Sequence, residues 1–217
     1  MSVVRMKFDG DIPVVVMDSG ENRFHPDLLD GVENALDEVE KSGRAAVVLT
    51  GTGKFFSNGL DLEYLANGGP AYLTRVHRLF ARLLGFPGYV VAAINGHAFA
   101  AGGMLAVAAD ARVMRADRGF FCLPEVDLGL PFSDGMNALL TRKLTPATAH
   151  EAMVTGRRYG GVEAAGKSIV DAAVAEDQVL ATALERAREM AGKQPPAVAA
   201  IKRRMYEREI AVLEATG

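Results

Sequence analysis

The sequence predicts a single domain over residues 1–217, with an α/β core over 1–144 and a helical C-terminal part over 145–217. Two observations predict the fold class. Short apolar runs of strand length alternate with helical periodicity as far as Leu144, and beyond Pro146 only the helical period remains. A third observation bounds the size: 217 residues of 49% hydrophobic content can bury one sizeable core, and no Ser/Gly/Pro-rich linker divides the chain.

Val14 to Met17 reads as the first buried strand. Pro26 then opens a helix in which Leu28, Leu29, Val32, Ala35, Leu36 and Val39 recur at three- and four-residue intervals and so share one face, with Gly43 as its stop. Ala45 to Thr50 is the next strand, giving a β-α-β unit. After a Gly/Asn-rich break, a helix is expected over Tyr72 to Leu84, ending before Gly85 and Pro87, and Val90 to Ile94 returns as strand. Gly102 to Ala109 reads as a small-residue helix, Ala111 to Met114 and Phe120 to Leu123 as short strands, and Asp134 to Leu144 as a helix. In the C-terminal part Thr145 and Asp177 are the expected N-caps. Gln178 to Lys193 aligns Leu180, Ala183, Leu184, Ala187 and Met190 on one face. The tail from Pro195 to Leu213, carrying Val198, Ile201, Met205 and Ile210, suits docking over the core or onto a neighbouring subunit.

Composition narrows the function. The formal net charge is −3 with both signs scattered, which provides no basic stripe for a nucleic-acid backbone. The single cysteine, Cys122, cannot form an internal disulfide and lies in an apolar run that reads as buried strand. No apolar run approaches the roughly 20 residues of a membrane span. Met1 to Lys7 carries no apolar segment with a small-residue cleavage site, so a cytoplasmic location is expected. None of the four histidines joins another His, a Cys or an acid in a metal-ligand pattern, so no metal is expected.

Two glycine-containing loops follow strands closely. In Thr50 to Leu62, Gly51-Thr52-Gly53 lacks both the third glycine of a dinucleotide fingerprint and the Gly-Lys-Ser/Thr ending of a P-loop, which disfavours a nucleotide site. In Asn95 to Leu105, tiny residues run into a helix start, where unpaired N–H groups favour developing negative charge. That is the raw material of an oxyanion hole, and tight helix packing accounts for the same residues equally well.

Three segments together carry a resemblance. Phe56-Ser57-Asn58-Gly59-Leu60-Asp61-Leu62, then Gly96-His97-Ala98 through Gly102-Gly103 to Asp110, then Asp117 to Pro131, resemble in order and spacing the motifs of the crotonase (enoyl-CoA hydratase/isomerase) superfamily. The form of these motifs is most like its monofunctional Δ3,Δ2-enoyl-CoA isomerases. The resemblance implies a spiral of repeated ββα units with a helical C-terminal region, a coenzyme A thioester as substrate, no cofactor, and assembly as a trimer or dimer of trimers. It further implies that the Leu60 and Ala101 backbone N–H groups form the oxyanion hole and that Glu125 transfers the proton. Arg23, Ser57, Asn58, Gly59, Asp61, Leu62 and Gly102 are the implied substrate-binding positions, with Lys54 a weaker cationic contact.

Chemistry agrees at several of these positions. Glu125 follows Pro124 in an otherwise apolar stretch, where desolvation pushes a carboxyl pKa upward toward the range a neutral-pH base needs. By the resemblance, Met104 matches the position of a second glutamate in the hydratases, and a thioether neither takes a proton nor holds water well. One carboxylate suffices to move a proton from C2 to C4, so isomerisation is favoured over hydration. Asp61 and Asp110 read as structural, Asp127 or Asp134 as a possible second acid, and His97 as packing or a backbone hydrogen bond. Phe99, Phe132 and Met136 fit an acyl pocket or the core. Other enolate reactions, namely hydration, retro-aldol cleavage, decarboxylation or thioester hydrolysis, and a non-catalytic acyl-CoA-binding subunit are the alternatives.

Overall fold

The computed structural model describes residues 3–215; Met1, Ser2, Thr216 and Gly217, the ends of the expected domain, lie outside the described residues. The chain runs through four ββα repeats. They are β1 (Val4–Asp9), β2 (Ile12–Met17) and α1 (Pro26–Lys41); β3 (Ala46–Gly51), β4 (Phe55–Ser57) and α2 (Leu62–Leu84); β5 (Tyr89–Ile94), β6 (His97–Phe99) and α3 (Ala101–Ala108); and β7 (Ala111–Arg115), β8 (Phe121–Cys122) and α4 (Asp134–Lys143). A single 3-10 turn, Pro124–Val126, follows β8.

The strands form two sheets. In the larger, β1 is antiparallel to β2 through a turn at Gly10, where φ is +55°, and β2, β3, β5 and β7 are parallel in that order. The second strand of repeats two to four goes to a small parallel sheet, β4-β6-β8. This sorting is the spiral implied by the resemblance. Asparagines tie the layers at the crossing points: Asn95 Oδ1 accepts the Gly51 N–H at 3.0 Å, and buried Asn22 donates to the Phe55 and Phe56 carbonyls at 3.1 Å each.

The strands of the larger sheet read as unbroken apolar runs because both its faces are covered. Val47, Leu49, Val90 and Ala92 face α1, α2 and α3, whereas Val48, Val91, Ala93 and Val113 pack against α7 (Val179–Arg188).

Several expectations need correction. The C-terminal part is not wholly helical, because β9 (Ala172–Val174) joins the larger sheet parallel to β7, between α6 (Gly161–Gly166) and α7. Three residues are too few for a period to register. The short strands β4 and β6 escape sequence reading for the same reason, and β1 does so although Val4 to Asp9 is longer. The Gly/Asn-rich break before Tyr72 is the first half of α2, which Asp61 caps by accepting the Tyr64 N–H at 3.0 Å and which kinks at Gly69 (φ +56°), beside Pro70. Thr145 does cap α5 (Pro146–Thr155), but Asp177 lies in a 3-10 turn and Gln178 occupies the N-cap of α7. Ala183, Leu184 and Ala187 are buried as expected, joined by Val179, whereas Leu180 is exposed and the helix ends at Arg188, before Met190.

The tail forms α8 (Pro195–Met205) and α9 (Glu207–Ala215). Helix α9 packs on α2 and α4 and buries Leu213, so its docking is over the core. Helix α8 instead exposes Ile201 and Met205, and its one buried residue, Lys202, belongs to a charge pair. Lys202 Nζ donates to Asp110 Oδ2 at 2.6 Å, with side chains only 8% and 11% exposed, and the same carboxylate accepts the Val90 N–H at 2.8 Å. Asp110 is thus structural. Because removing one partner strands the other's charge, Lys202→Met is expected to cost about 3 kcal/mol in denaturant unfolding. The double variant Lys202→Met/Asp110→Asn is expected to lose less than the single one.

Candidate active site

Ser57, at the end of β4, sets the first loop. Its Oγ donates to the Asn22 carbonyl at 2.7 Å and accepts the Gly59 N–H at 3.1 Å, while Phe24 N–H donates to the Gly59 carbonyl at 2.8 Å. Gly59 is thereby held at φ +81°, a conformation that favours glycine. Asp61 N–H donates to the Tyr72 hydroxyl at 3.0 Å, but the Leu60 N–H between them has no acceptor among the described residues.

The second loop precedes α3. Ala100 sits at φ +49° and ψ −128°, its N–H donating to the Cys122 carbonyl at 2.9 Å. A non-glycine residue there costs of order 1–3 kcal/mol, which the surrounding packing must hold. The strained turn leaves Ala101 as the first residue of α3, its N–H also without an acceptor among the described residues. The two loops touch: a β-carbon on Gly59 would lie 2.9 Å from the Ala101 nitrogen. Only glycine at 59 keeps that N–H open.

The tiny residues of this loop also serve packing, which is the second of the two readings of the segment. A β-carbon on Gly102 would meet the Ser57 carbonyl at 2.3 Å, and one on Gly96 the Lys54 carbonyl at 2.1 Å.

Glu125 lies in the 3-10 turn after β8, and the loop beyond folds back so that Leu130 N–H donates to the Glu125 carbonyl at 2.9 Å. Its side chain is buried, and Oε2 has no hydrogen-bond partner. Burial pushes its pKa up to about 7.

Leu60, Ala101 and Glu125 line one cleft of about 520 Å³. Its apolar lining comes from Leu62, Leu65 and Leu73 of α2, from Phe99 and Met136, and from Leu128, Leu130, Pro131 and Phe132 of the segment before α4. Arg23 and Asn58 contribute a polar edge. Both are tied to Glu21, at 2.7 and 2.9 Å, and the Asn58 and Arg23 hydrogen bonds hold the Glu21 carboxyl below its usual range.

Of the binding positions expected from sequence, Arg23, Asn58 and Leu62 line the cleft with Phe99, Phe132 and Met136. Ser57, Gly59, Asp61 and Gly102 do not line it and shape its backbone instead. Lys54 lies outside, its Nζ 5.6 Å from the Phe55 ring centroid. Asp127 and Asp134 are not in the lining either, which leaves Glu125 the one carboxylate among the described lining residues. Met104 is buried in the core. The His97 ring packs against Phe99, with centroids 4.8 Å apart, and burial followed by the nearby Lys54 charge lowers its pKa. Among the described residues no cluster of His, Cys, Asp and Glu could hold a metal, and no helix is long and apolar enough to cross a membrane.

Sequence reasoning missed Leu65, Leu73 and Ser133 as lining residues. The leucines were legible as a helical period with Leu62, masked by Gly68-Gly69-Pro70. Ser133 was detectable as a residue type that caps a helix, and it does accept the Met136 N–H at 3.2 Å. Two unpaired N–H groups and one isolated carboxylate in an apolar cleft suit a reaction in which a carbonyl oxygen gains negative charge while a proton moves.

Known proteins carry the same arrangement of chain. The family described as Enoyl-CoA hydratase/isomerase matches residues 8–215. Enoyl-CoA delta isomerase 3 of Arabidopsis thaliana is 39% identical over 163 residues, 70% of this chain and 68% of its own length. The peroxisomal enoyl-CoA delta isomerase 2 of the same plant is 36% identical over 189 residues, 81% of this chain and 79% of its own. A solved apo structure of an enoyl-CoA isomerase from Mycobacterium tuberculosis superposes with a TM-score of 0.92 at 28% identity, covering 99% of this chain and 96% of that one. From its three ordered motifs, its four ββα repeats and these likenesses, the chain belongs to the enoyl-CoA hydratase/isomerase family.

Proposed function

We propose that the protein is a Δ3,Δ2-enoyl-CoA isomerase, moving the double bond of a 3-enoyl-CoA into conjugation with the thioester. Glu125 takes a proton from C2, and the oxygen of the resulting dienolate accepts hydrogen bonds from the Leu60 and Ala101 N–H groups. The same carboxyl group then returns the proton at C4. Arg23 and Asn58 meet the coenzyme A portion, and the apolar walls take the acyl chain.

The observation that carries this reading is the lone carboxylate. Adding water across the double bond calls for a second group to hold and activate that water, and among the described residues the cleft lining offers no second acid. The names of the similar Arabidopsis proteins support the same choice. We further propose that the protein assembles as a trimer or dimer of trimers and works in the cytoplasm. The exposed Ile201 and Met205 of α8 support burial against a second copy, which sedimentation checks.

Turnover of 3-cis- and 3-trans-enoyl-CoA is expected, with little hydration of crotonyl-CoA. Glu125→Gln should lower isomerisation by roughly 10²–10⁴-fold, the usual worth of a general base. A wild type that hydrates crotonyl-CoA well but does not isomerise would overturn the reading.

The pKa of about 7 has two consequences. As a base, Glu125 must start ionised, so kcat/KM for isomerisation should rise with pH through about 7 and level off above it. For stability the sign is opposite to that of a paired carboxylate. The folded pKa lies above the 4.5 of a free glutamate, so the folded state binds more protons between the two and loses stability as pH rises through that window. Glu125→Gln should therefore melt higher than wild type on the alkaline side of the window, with the advantage vanishing on the acid side.

Gly59→Ala tests the oxyanion loops. Its β-carbon would crowd the Ala101 N–H and strain the backbone at φ +81°, so kcat should fall by roughly 10²-fold or more. Unchanged kcat in a folded Gly59→Ala protein would remove Ala101 from the mechanism.

A further inference from the structure

One polar group interrupts the apolar part of the cleft. Ser133, where α4 begins, lines the cleft beside Phe132 and Met136, and its Oγ lies 2.9 Å from Nε2 of His77. His77 is 1% exposed and sits one helical turn beyond Leu73 on α2. A buried imidazole therefore fixes a hydroxyl on the wall that takes the acyl chain.

Counting hydrogen bonds shows what remains for a ligand. A serine hydroxyl has one donor and two acceptor sites. One acceptor site is used by the Met136 N–H. If His77 Nε2 accepts, the hydroxyl donates to it and one lone pair is left. If Nε2 carries the proton, both lone pairs are used and the O–H is left to donate. In either tautomer one hydrogen-bonding site stays unfilled, and covering it with hydrocarbon carries a desolvation cost.

We infer that Ser133, oriented by His77, is a specificity-determining residue that selects acyl chains bearing a hydroxyl group. A hydroxyl is the substituent that answers both tautomers, since it accepts from an O–H and donates to a lone pair. The inference rests on the acyl-CoA reading of the cleft and names the substrate class within it: a hydroxylated, medium or longer acyl-CoA, with the hydroxyl beyond the reacting carbons.

Binding of saturated acyl-CoA thioesters, measured by calorimetry, tests this without requiring turnover. An unsubstituted chain is compared with analogues whose hydroxyl is moved stepwise outward from C5. At one position the hydroxylated chain is expected to bind wild type about fivefold to tenfold more tightly than the plain one. Ser133→Gly, which removes the hydroxyl at little capping cost, should abolish that preference, and Ser133→Thr should restore it. A wild type that binds the plain chain as well as every analogue would overturn the inference. So would a preference that survives Ser133→Gly, including the case in which both chains bind more weakly by the same factor, which is the signature of a helix cap alone. Failure of wild type to bind any acyl-CoA would instead overturn the acyl-CoA reading, and this inference with it.

Discussion

Helix α3 rests on the backbone of β4 with no side chain between them, since a β-carbon on Gly102 would fall 2.3 Å from the Ser57 carbonyl oxygen. That seating determines much else. It requires the strained turn at Ala100, draws Gly59 against the start of α3, and leaves two neighbouring N–H groups with no carbonyl to bond. A backbone donor that the fold does not satisfy is expensive unless water or a ligand reaches it. Leu60 and Ala101 both line the cleft, so the packing that builds the core also shapes the cleft.

The treatment of charge separates structure from chemistry. Buried Arg112 donates to the Ile169 carbonyl at 2.8 Å and the Ala109 carbonyl at 3.1 Å, which helps seat the segment leading into β9. Lys202 has Asp110, and Lys143, whose pKa burial pushes down to about 8, donates to the Ala109 carbonyl at 2.9 Å. Glu125 alone among these has an oxygen with no partner. Such isolation weakens the fold as the carboxyl ionises, and it holds the carboxyl pKa near neutrality, the range the proposed base requires.

The two halves of the chain share the work of enclosing the cleft. Helix α2 supplies a wall only because its kink at Gly69 joins the Leu62–Leu65 segment to the longer run that includes Leu73. Helix α9 in turn braces α2 and α4 from behind, and α7 covers the opposite face of the larger sheet. A C-terminal part that looks like an appendage is therefore structural support for the substrate walls.

The sequence by itself determined the alternation of strand and helix, the buried faces of α1 and β3, the order of the three motifs, and Glu125 as an acid in an apolar setting. These are local properties, carried by period, by residue type and by spacing along the chain. Tertiary structure decided the rest. Strands of two or three residues such as β8 and β9 gain their conformation from pairing with distant partners rather than from propensity, so no local period announces them. Whether Ser57 and Asp61 face a ligand or hold a loop, and whether Asp127 shares the cleft with Glu125, depends on directions set by contacts many residues away. The pairing of His77 with Ser133, 56 positions apart, is the clearest case: each residue is unremarked in the sequence, and only the tertiary fold, which brings the cap of α4 to α2, makes them one group.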